Sequence, residues 1–354
     1  MMRNRGWALL LALVLLALPL CASAAGVFSP NENYEYLVGS TAWQLSAESQ
    51  ALMQQAFTTA KGRIAELALK CLSDSDADWA YETDESGAKW MTHLGKRIAV
   101  ISDIDDTLVD GVHYTADIVG KNGDVNNVAF ARFVLSDGCT ALPGAVDFVQ
   151  YCNEMGVEFF YVTNRYDQGY RVGQNDSVSG YDAVVGKDGH GLYLDAQGTE
   201  IGCTVYQALG KSFYDITLES MTRLGFPIDE KHLIVNDMKL HGDSKEPARA
   251  AVRSGATAYP TGQREDGNAS GSALTIDIAP HEVALLLGDQ LSDFTDDFSG
   301  EGMDAVTRTE KTAQYADKWG VEWIVLPNAV YGAALNYAVK YPISELLGHY
   351  SYLH

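Results

Sequence analysis

The sequence predicts an α/β protein whose core is a doubly wound parallel sheet, with a helical cap segment before it and a glycine-rich insertion within it. The core is predicted because, after residue 96, short apolar runs end in polar residues and helical stretches separate them. Strands that alternate with helices are typical of a parallel sheet. The cap is predicted from an amphipathic stretch that precedes the first run, and the insertion from nine glycines within residues 166–212.

The first 24 residues have the pattern of a signal peptide. Two arginines fall within the first five residues, residues 7–20 are uncharged and apolar, and residues 22–24 are Ala-Ser-Ala, the small residues that signal peptidases read. The apolar run has about 14 residues, whereas a membrane-spanning helix needs about 20. We therefore expect residues 1–24 to be removed from an exported, periplasmic or secreted protein. The alternative is lipid attachment at Cys21, which would make the protein an outer-membrane lipoprotein.

The chain is strongly acidic, with 25 lysine and arginine residues against 47 aspartate and glutamate residues and a formal net charge of -22. Such a surface repels phosphate backbones, which argues against binding of nucleic-acid polymers. A small anionic substrate would need local cations or a metal ion to hold it. Four cysteines follow the predicted signal peptide without the C-x-x-C spacing of a zinc site, and disulfides or buried thiols stay open as alternatives. The four are Cys71, Cys139, Cys152 and Cys203.

Residues 41–72 are predicted to be helical, as one amphipathic helix or a pair. Apolar side chains recur there every three or four positions. Thr41 and Gln44, three residues apart, have the composition of a capping box at the helix start. We interpret residues 25–90 as a helical cap segment that packs on the main domain rather than one that binds substrate directly.

Residues 91–350 are predicted to form the core. In a doubly wound sheet, the reactive residues gather at the carboxyl ends of the strands, so the residues that follow each apolar run are the informative ones. A Gly-, Ser- and charge-rich stretch at residues 260–272 is interpreted as a surface loop. The five predicted strands are residues 98–101, 159–162, 233–235, 283–287 and 323–326.

A D-x-D-x-T motif follows the first predicted strand. Asp103 and Asp105, two residues apart, leave the strand end on the same side, so they can divide the work of phosphoester hydrolysis. Asp103 can attack phosphorus, and Asp105 can give a proton to the leaving oxygen and later take one from water. The alternative is a calcium loop, but Leu108 stands where that loop needs glycine for its sharp turn.

Two further motifs offer groups that could hold a phosphate. Thr163 and Asn164 follow the second strand, and their hydroxyl and amide could bind phosphate oxygens. Lys245 and Arg249 stand four apart at a predicted helix start, so both could face one way, and at least one could neutralise a phosphoryl group. Lys239 is a further candidate for this role.

Carboxylates also follow the fourth strand, at Asp289 and Asp293. Magnesium takes octahedral oxygen coordination and usually keeps several waters. Asp103, the backbone carbonyl of Asp105 and Asp289 would therefore suffice as protein ligands, with Asp293 orienting a metal-bound water. The sequence thus predicts Mg²⁺ as cofactor.

These pieces belong to a longer series of motifs between residues 40 and 335. Their order and spacing resemble the haloacid dehalogenase-like (HAD-like) hydrolase superfamily, whose core is Rossmann-like, and within it the class C bacterial acid phosphatases of the lipoprotein e type. The motifs are Trp43 with Ser46-Ala47-Glu48, Asp103-Ile104-Asp105-Asp106-Thr107, Pro143-Gly144-Ala145, Val162-Thr163-Asn164-Arg165, Ser244-Lys245 with Arg249, Gly288-Asp289 with Asp293-Phe294, and Leu326-Pro327-Asn328 with Tyr331-Gly332.

The resemblance implies a role for each matching residue and a class of substrate. Nucleoside monophosphates and small aryl phosphates are the substrates it implies. The insertion at residues 166–212 is longer than we expect for the family. The residue roles that the resemblance implies are nucleophile for Asp103, acid and base for Asp105, phosphate ligands for Thr163 and Lys245, and magnesium ligand for Asp289.

The insertion is predicted to form a partly β-structured flap beside the active site that helps to select the leaving group. It starts at the carboxyl edge of the sheet, just past Asn164. Residues 181–185 and 192–194 are short strand-like runs that bracket a Gly-Lys-Asp-Gly turn. Tyrosines within the insertion could stack on a base or an aryl group.

The sequence therefore predicts an exported, Mg²⁺-dependent acid phosphatase that hydrolyses small phosphomonoesters through an aspartyl-phosphate intermediate. One alternative is phosphotransfer to an alcohol on the same scaffold. Another is a non-catalytic binding or storage relative, which need not retain all the acidic residues of the motifs. The expected partner is a small-molecule phosphomonoester, with membrane attachment only if Cys21 is lipidated, and a homo-oligomer is possible.

Overall fold

A computed structural model describes the chain from Tyr34 to Val330 with gaps. The signal peptide predicted at residues 1–24 and most of the predicted insertion, including its run 181–185, lie outside the described residues. Among the described residues, no helix combines the length and the apolar character needed to cross a membrane. The described residues are 34–73, 77–121, 127–165, 192–194, 200–202, 205–264, 272–299, 303 and 305–330.

Two helices open the described part of the chain, α1 (Tyr34–Gln44) and α2 (Ala47–Cys71). The predicted capping box at Thr41 is wrong, because Thr41 and Gln44 lie inside α1. The start of the second helix is instead capped by Ser46, whose side chain accepts a hydrogen bond from the Ser49 backbone at 3.2 Å. Side chains at helical spacing on α2 are buried against the sheet layer: Met53, Phe57, Ala60, Ile64 and Leu67.

The main sheet confirms the predicted α/β class. Its five parallel strands lie in the order β9, β6, β3, β12 and β13, and an antiparallel hairpin, β1 with β2, joins the start of β3. This hairpin was not predicted from the sequence. The strands are β1 (Trp79–Thr83), β2 (Lys89–His93), β3 (Lys96–Ser102), β4 (Val109–Asp110), β5 (Thr140–Ala141), β6 (Glu158–Thr163), β7 (Leu192–Leu194), β8 (Glu200–Gly202), β9 (Leu233–Val235), β10 (Ala256–Arg264), β11 (Ser272–Ile278), β12 (His281–Gly288) and β13 (Trp323–Val325).

Helices cover both faces of the sheet, as a doubly wound fold requires. Along the central strand β3, Ile98 and Val100 pack into one apolar cluster with α2 and α5, while Ala99 and Ile101 pack into another with α9. Side chains that alternate between two apolar layers explain why residues 98–101 of this strand are all apolar. The remaining helices are α3 (Val112–Lys121), α4 (Asn127–Leu135), α5 (Ala145–Glu154), α6 (Val205–Leu209), α7 (Phe213–Arg223), α8 (Met238–His241), α9 (Glu246–Ser254) and α10 (Ala305–Gln314).

A third apolar cluster joins α3, α4, α6 and α7, and we call these four helices the helical cluster. Its core includes Tyr114 from α3, Val128 from α4 and Phe213 from α7. Helix α7 begins at Phe213, because Ser212 caps it by accepting a hydrogen bond from the Asp215 backbone at 3.0 Å.

Two further antiparallel hairpins lie outside the main sheet, β7 with β8 and β10 with β11. In the predicted insertion, residues 192–194 are a strand, and their partner is β8. The predicted surface loop at residues 260–272 is partly wrong, because its first five residues lie in β10 and its last begins β11. Thr261 anchors β10 to the main sheet, since its hydroxyl donates to the carbonyl of Leu233 at 2.6 Å and accepts from Val235 N at 3.2 Å. This tertiary attachment outweighs the loop-like composition.

Candidate active site

The D-x-D-x-T segment leaves the carboxyl end of the central strand between two neighbouring strands. Asp103 N still donates to Leu287 O of β12 at 3.0 Å. The chain then turns at Asp106, which has a left-handed φ of 52°. The turn is held by two hydrogen bonds, from Asp106 N to Val109 O at 2.7 Å and from Gly111 N to the Asp106 carboxyl at 2.9 Å. Asp103 is thereby fixed at the edge of the sheet where the other motifs end.

Three carboxyl groups meet at this edge. One carboxyl oxygen from each of Asp103, Asp289 and Asp293 lies within 4.8 Å of the others, and all three residues are buried. The Lys245 ammonium lies 2.6 Å from Asp103 Oδ1 and 2.7 Å from Asp293 Oδ1. Four predicted residues from three motifs therefore form one site, although they lie up to 190 positions apart in the sequence.

The charge of this site is not balanced by its own residues. Burial raises the pKa of the Asp103 carboxyl well above its usual range, although Lys245 acts in the opposite direction. Burial and the neighbouring Asp293 also raise the pKa of Asp289, to about 7. For Lys245, burial alone would lower the pKa, but the attraction of Asp103 and Asp293 outweighs it and raises the pKa. One ammonium thus faces three buried carboxyl groups that resist ionising together.

The donor set fits a hard divalent cation. All of the clustered ligand atoms are carboxylate oxygens, which Mg²⁺ and Ca²⁺ prefer. Two positive charges added at this point would compensate the carboxylates that Lys245 leaves unbalanced. Asp103, Asp289 and Asp293 can therefore hold a metal ion. Mg²⁺ as that ion, and the backbone carbonyl of Asp105 as a further ligand, stay predictions.

Three side chains hold Asp289 in place. Its Oδ1 accepts from the Thr107 hydroxyl at 3.0 Å. Its Oδ2 accepts from the Gln290 amide and from the Asn328 amide, each at 2.7 Å. These donors fix the direction in which Asp289 presents its oxygens, as outer-shell partners of metal ligands do. None of these three residues was predicted to act in the site, although Thr107 and Asn328 lie inside motifs of the sequence.

Asp105 is not one of the three clustered carboxyl groups, and its side chain pairs with an arginine. Arg165 Nε lies 2.8 Å from Asp105 Oδ2 and Arg165 Nη2 lies 2.5 Å from Oδ1, a two-point ion pair. The Arg165 side chain is 1% exposed, and its guanidinium lies 5.6 Å from the ring centre of Phe130 in α4. Arg165 therefore ties the predicted acid to the helical cluster. It follows Asn164 directly in the sequence, and the two-point contact was not predicted.

Thr163 and Asn164 occupy the neighbouring strand end. Thr163 is buried at the end of β6, and its hydroxyl accepts from Arg165 N at 3.3 Å. The Asn164 amide donates to Asp243 O at 3.2 Å, and its oxygen accepts from the Asn236 amide at 2.9 Å. In these contacts, Asn164 braces the loop that leads to Lys245. Phosphate binding by Thr163 and Asn164 stays a prediction.

The two cations at the start of α9 have different environments. Lys245 faces the carboxyl groups, as described above. Arg249 is fully buried and does not take part in that cluster: its Nη1 donates to Ser292 O at 3.1 Å and to Asp293 O at 2.8 Å. It therefore clamps the backbone of the loop that carries Asp293. The side chain of Lys239, the further candidate, lies outside the described side chains.

Residues 28–176 match the family model described as HAD superfamily, subfamily IIIB (Acid phosphatase), and this segment includes Asp103, Asp105 and Thr163. A crystal structure of the class C acid phosphatase from Bacillus anthracis with tungstate bound is 20% identical, with a TM-score of 0.53 over 86% of this chain and 88% of that chain. A second structure of the class C acid phosphatase from the same organism has a TM-score of 0.52 at 20% identity over the same shares. At this identity, the structural likeness shows the fold.

Proposed function

We propose that the chain hydrolyses small phosphomonoesters through an aspartyl-phosphate on Asp103, with Mg²⁺ as cofactor. The match of residues 28–176 to the acid phosphatase model of HAD subfamily IIIB supports a phosphomonoesterase. One observation carries the proposal. Asp103 is a buried carboxyl at the end of the central strand, 2.6 Å from the Lys245 ammonium and grouped with two further carboxyls. This arrangement gives a nucleophile with an ammonium group beside it, where an anionic phosphoryl group must arrive.

The reaction has two halves that use Asp103 and Asp105. In the first, an Asp103 carboxylate oxygen attacks phosphorus, the bond to the leaving oxygen breaks, and Asp105 donates its proton to that oxygen. In the second, water attacks the phosphorus of the acyl phosphate and gives a proton to Asp105. Inorganic phosphate leaves, and the Asp103 carboxylate is restored.

The remaining residues would bind the metal ion and the phosphoryl oxygens. Asp103, Asp289 and the backbone carbonyl of Asp105 would hold Mg²⁺, with Asp293 orienting a bound water. The cation, when bound, supplies charge that offsets the repulsion between the attacking carboxylate and the phosphate. Lys245 already neutralises Asp103 and can pass one hydrogen bond to a phosphoryl oxygen, while Thr163 offers its hydroxyl.

The decisive experiment replaces the nucleophile. Asp103→Asn preserves shape but cannot form the acyl phosphate, so kcat should fall by about 10⁴-fold or more with the melting temperature retained. Asp147→Asn is the matched control, because Asp147 lies on α5 with its side chain 78% exposed. Assays use p-nitrophenyl phosphate and nucleoside monophosphates with excess Mg²⁺. Turnover by Asp103→Asn at the control rate would disprove the nucleophile.

The substrate class and the acceptor are part of the proposal. Nucleoside monophosphates and aryl phosphates are the proposed substrates, and water is the proposed acceptor. Phosphotransfer to an alcohol is the second candidate, since it uses the same intermediate. Assays with glycerol present distinguish the two. Hydrolysis releases one inorganic phosphate for each leaving group, p-nitrophenol or nucleoside. Transfer makes glycerol phosphate and releases less inorganic phosphate than leaving group.

We also propose that the protein is exported after removal of residues 1–24. The supporting observation is the charged start, apolar run and Ala-Ser-Ala sequence at its beginning. Mass spectrometry of the mature N-terminus tests it. A chain that begins at Ala25 supports cleavage by signal peptidase, a lipid-modified chain that begins at Cys21 indicates a lipoprotein, and an intact Met1 in exported material would contradict both.

A further inference from the structure

The last residue of the first helix reaches into the metal-binding edge of the sheet. Gln44 is 3% exposed. Its amide nitrogen donates to Pro327 O at 2.8 Å, and its amide oxygen accepts from Ala329 N at 3.3 Å. A single buried side chain thus satisfies two backbone groups that lie two residues apart, and more than 280 positions from it in the sequence.

The residue between those two backbone groups is Asn328. Its amide donates to Asp289 Oδ2 at 2.7 Å, and its own oxygen accepts from Val330 N at 2.9 Å. The segment 326–330 therefore carries one of the donors that orient Asp289. Its position decides whether this donor reaches the carboxylate.

The segment lies beyond the regular sheet. The strand β13 ends at Val325, and the last link to its neighbour is the hydrogen bond from Leu326 N to Gly288 O at 2.8 Å. Pro327 has no N–H to continue the pairing. The two hydrogen bonds of Gln44 take over from there, and they fix the backbone on both sides of Asn328.

We propose that Gln44 is a positioning residue that sets the affinity of the Asp289 site for its divalent cation, by holding residues 327–329 so that Asn328 stays on Asp289. The inference rests on the metal role given to Asp289 in the proposed function. It assigns to α1, which the sequence analysis interpreted as packing only, a part in assembling the active site. Outer-shell partners of metal ligands typically change affinity by 10- to 100-fold. Gln44 acts through one further residue, so we expect a loss of about tenfold.

The test measures cation binding without substrate. The full mature chain is freed of metal, and the Kd for Mg²⁺ is determined by isothermal titration calorimetry for wild type, Gln44→Ala, Gln44→Glu, Asn328→Ala and the double variant of Gln44→Ala with Asn328→Ala. Gln44→Glu keeps the acceptor for Ala329 N but loses the donor to Pro327 O. Because glutamate has nearly the same shape as glutamine, this variant serves as the test if Gln44→Ala does not fold. The matched control is Gln50→Ala, an exposed glutamine on α2.

The expected results separate positioning from general stability. Both Gln44 variants should bind Mg²⁺ about tenfold more weakly, the control should match wild type, and kcat at saturating Mg²⁺ should recover. The effects of Gln44→Ala and Asn328→Ala should be less than additive in the double variant, because both remove the same contact. An unchanged Kd in a folded Gln44 variant, or full additivity with Asn328→Ala, would overturn the proposal. If wild type itself binds no Mg²⁺, the metal role of Asp289 fails instead.

Discussion

The sharpest steric demand in the site is at Gly288, the last residue of β12. A Cβ placed there would lie 2.3 Å from Cβ and 2.4 Å from Oδ2 of Asp293. Unbonded carbons approach to about 3.5 Å, so Gly288→Ala must displace the Asp293 side chain by about 1 Å. That carboxyl would then leave the Lys245 ammonium, now 2.7 Å away, and the backbone N–H of Gln290, now 2.9 Å away.

A shift of this size has a predictable cost. Misplacing a catalytic group by about 1 Å lowers activity by about 100-fold, and overpacking a buried site costs about 1–3 kcal/mol of unfolding free energy. The matched control is Gly62→Ala on α2, where a Cβ meets nothing within 4 Å, and it should stabilise the helix by about 0.5–1 kcal/mol. The assays are kcat/KM for p-nitrophenyl phosphate at saturating Mg²⁺ and urea unfolding. A Gly288→Ala enzyme within threefold of wild type would refute the steric reasoning.

Three further predictions concern other buried polar groups. Burial lowers the pKa of His232, but hydrogen bonds and charge from Glu158 and Asp229 outweigh it and raise the pKa. Protonated His232 therefore adds stability that is complete below its ordinary pKa of about 6.5 and is lost as pH rises through the raised pKa. Glu158→Gln removes one partner of His232, so the melting temperature should fall less steeply with pH above pH 6.5 than it does in wild type. An unchanged slope would contradict this. Asp106→Asn keeps an acceptor for Gly111 N, now 2.9 Å away, and asparagine tolerates the left-handed φ of 52°. Burial also disfavours the charged form of Asp106 and raises its pKa. The substitution should therefore keep the unfolding free energy at pH 7 in urea titrations, whereas a drop beyond about 1 kcal/mol would mean that the charge of Asp106 is needed. Arg165→Gln should reduce kcat/KM far more for an alkyl phosphate than for p-nitrophenyl phosphate, because only the poorer leaving group depends on the acid that Arg165 holds; equal losses would show a general structural role.

Much of the fold follows from local patterns in the sequence. Each of the five predicted strands is present, because a run of apolar residues that is buried on both faces, such as the one ending at Ser102, has few other stable conformations. The alternation of these runs with helices then predicts a parallel sheet, and a parallel sheet brings its strand ends to one edge. That is why Asp103, Lys245, Asp289 and Asp293 could be predicted to meet.

Other features depend on contacts that no local pattern encodes. The residues 260–264 look like a loop by composition, yet they form a strand because Thr261 bonds to β9. Thr41 and Ser46 are both acceptable helix caps, and packing of α1 decides that only Ser46 acts as one. Local propensity differs by about 1 kcal/mol between such choices, and tertiary packing readily outweighs it.

The sequence by itself determined the kind of chemistry and the residues that surround it, because a motif fixes which side chains leave a strand end and the parallel sheet fixes where that end lies. Only the tertiary structure decided how those side chains are held. It separated Lys245, which faces Asp103, from Arg249, which clamps a loop, and it brought Gln44 to residues 327–329. The physical reason is that a hydrogen bond between distant segments depends on the position of both backbones to within a few tenths of an ångström, and that position results from packing of the whole core.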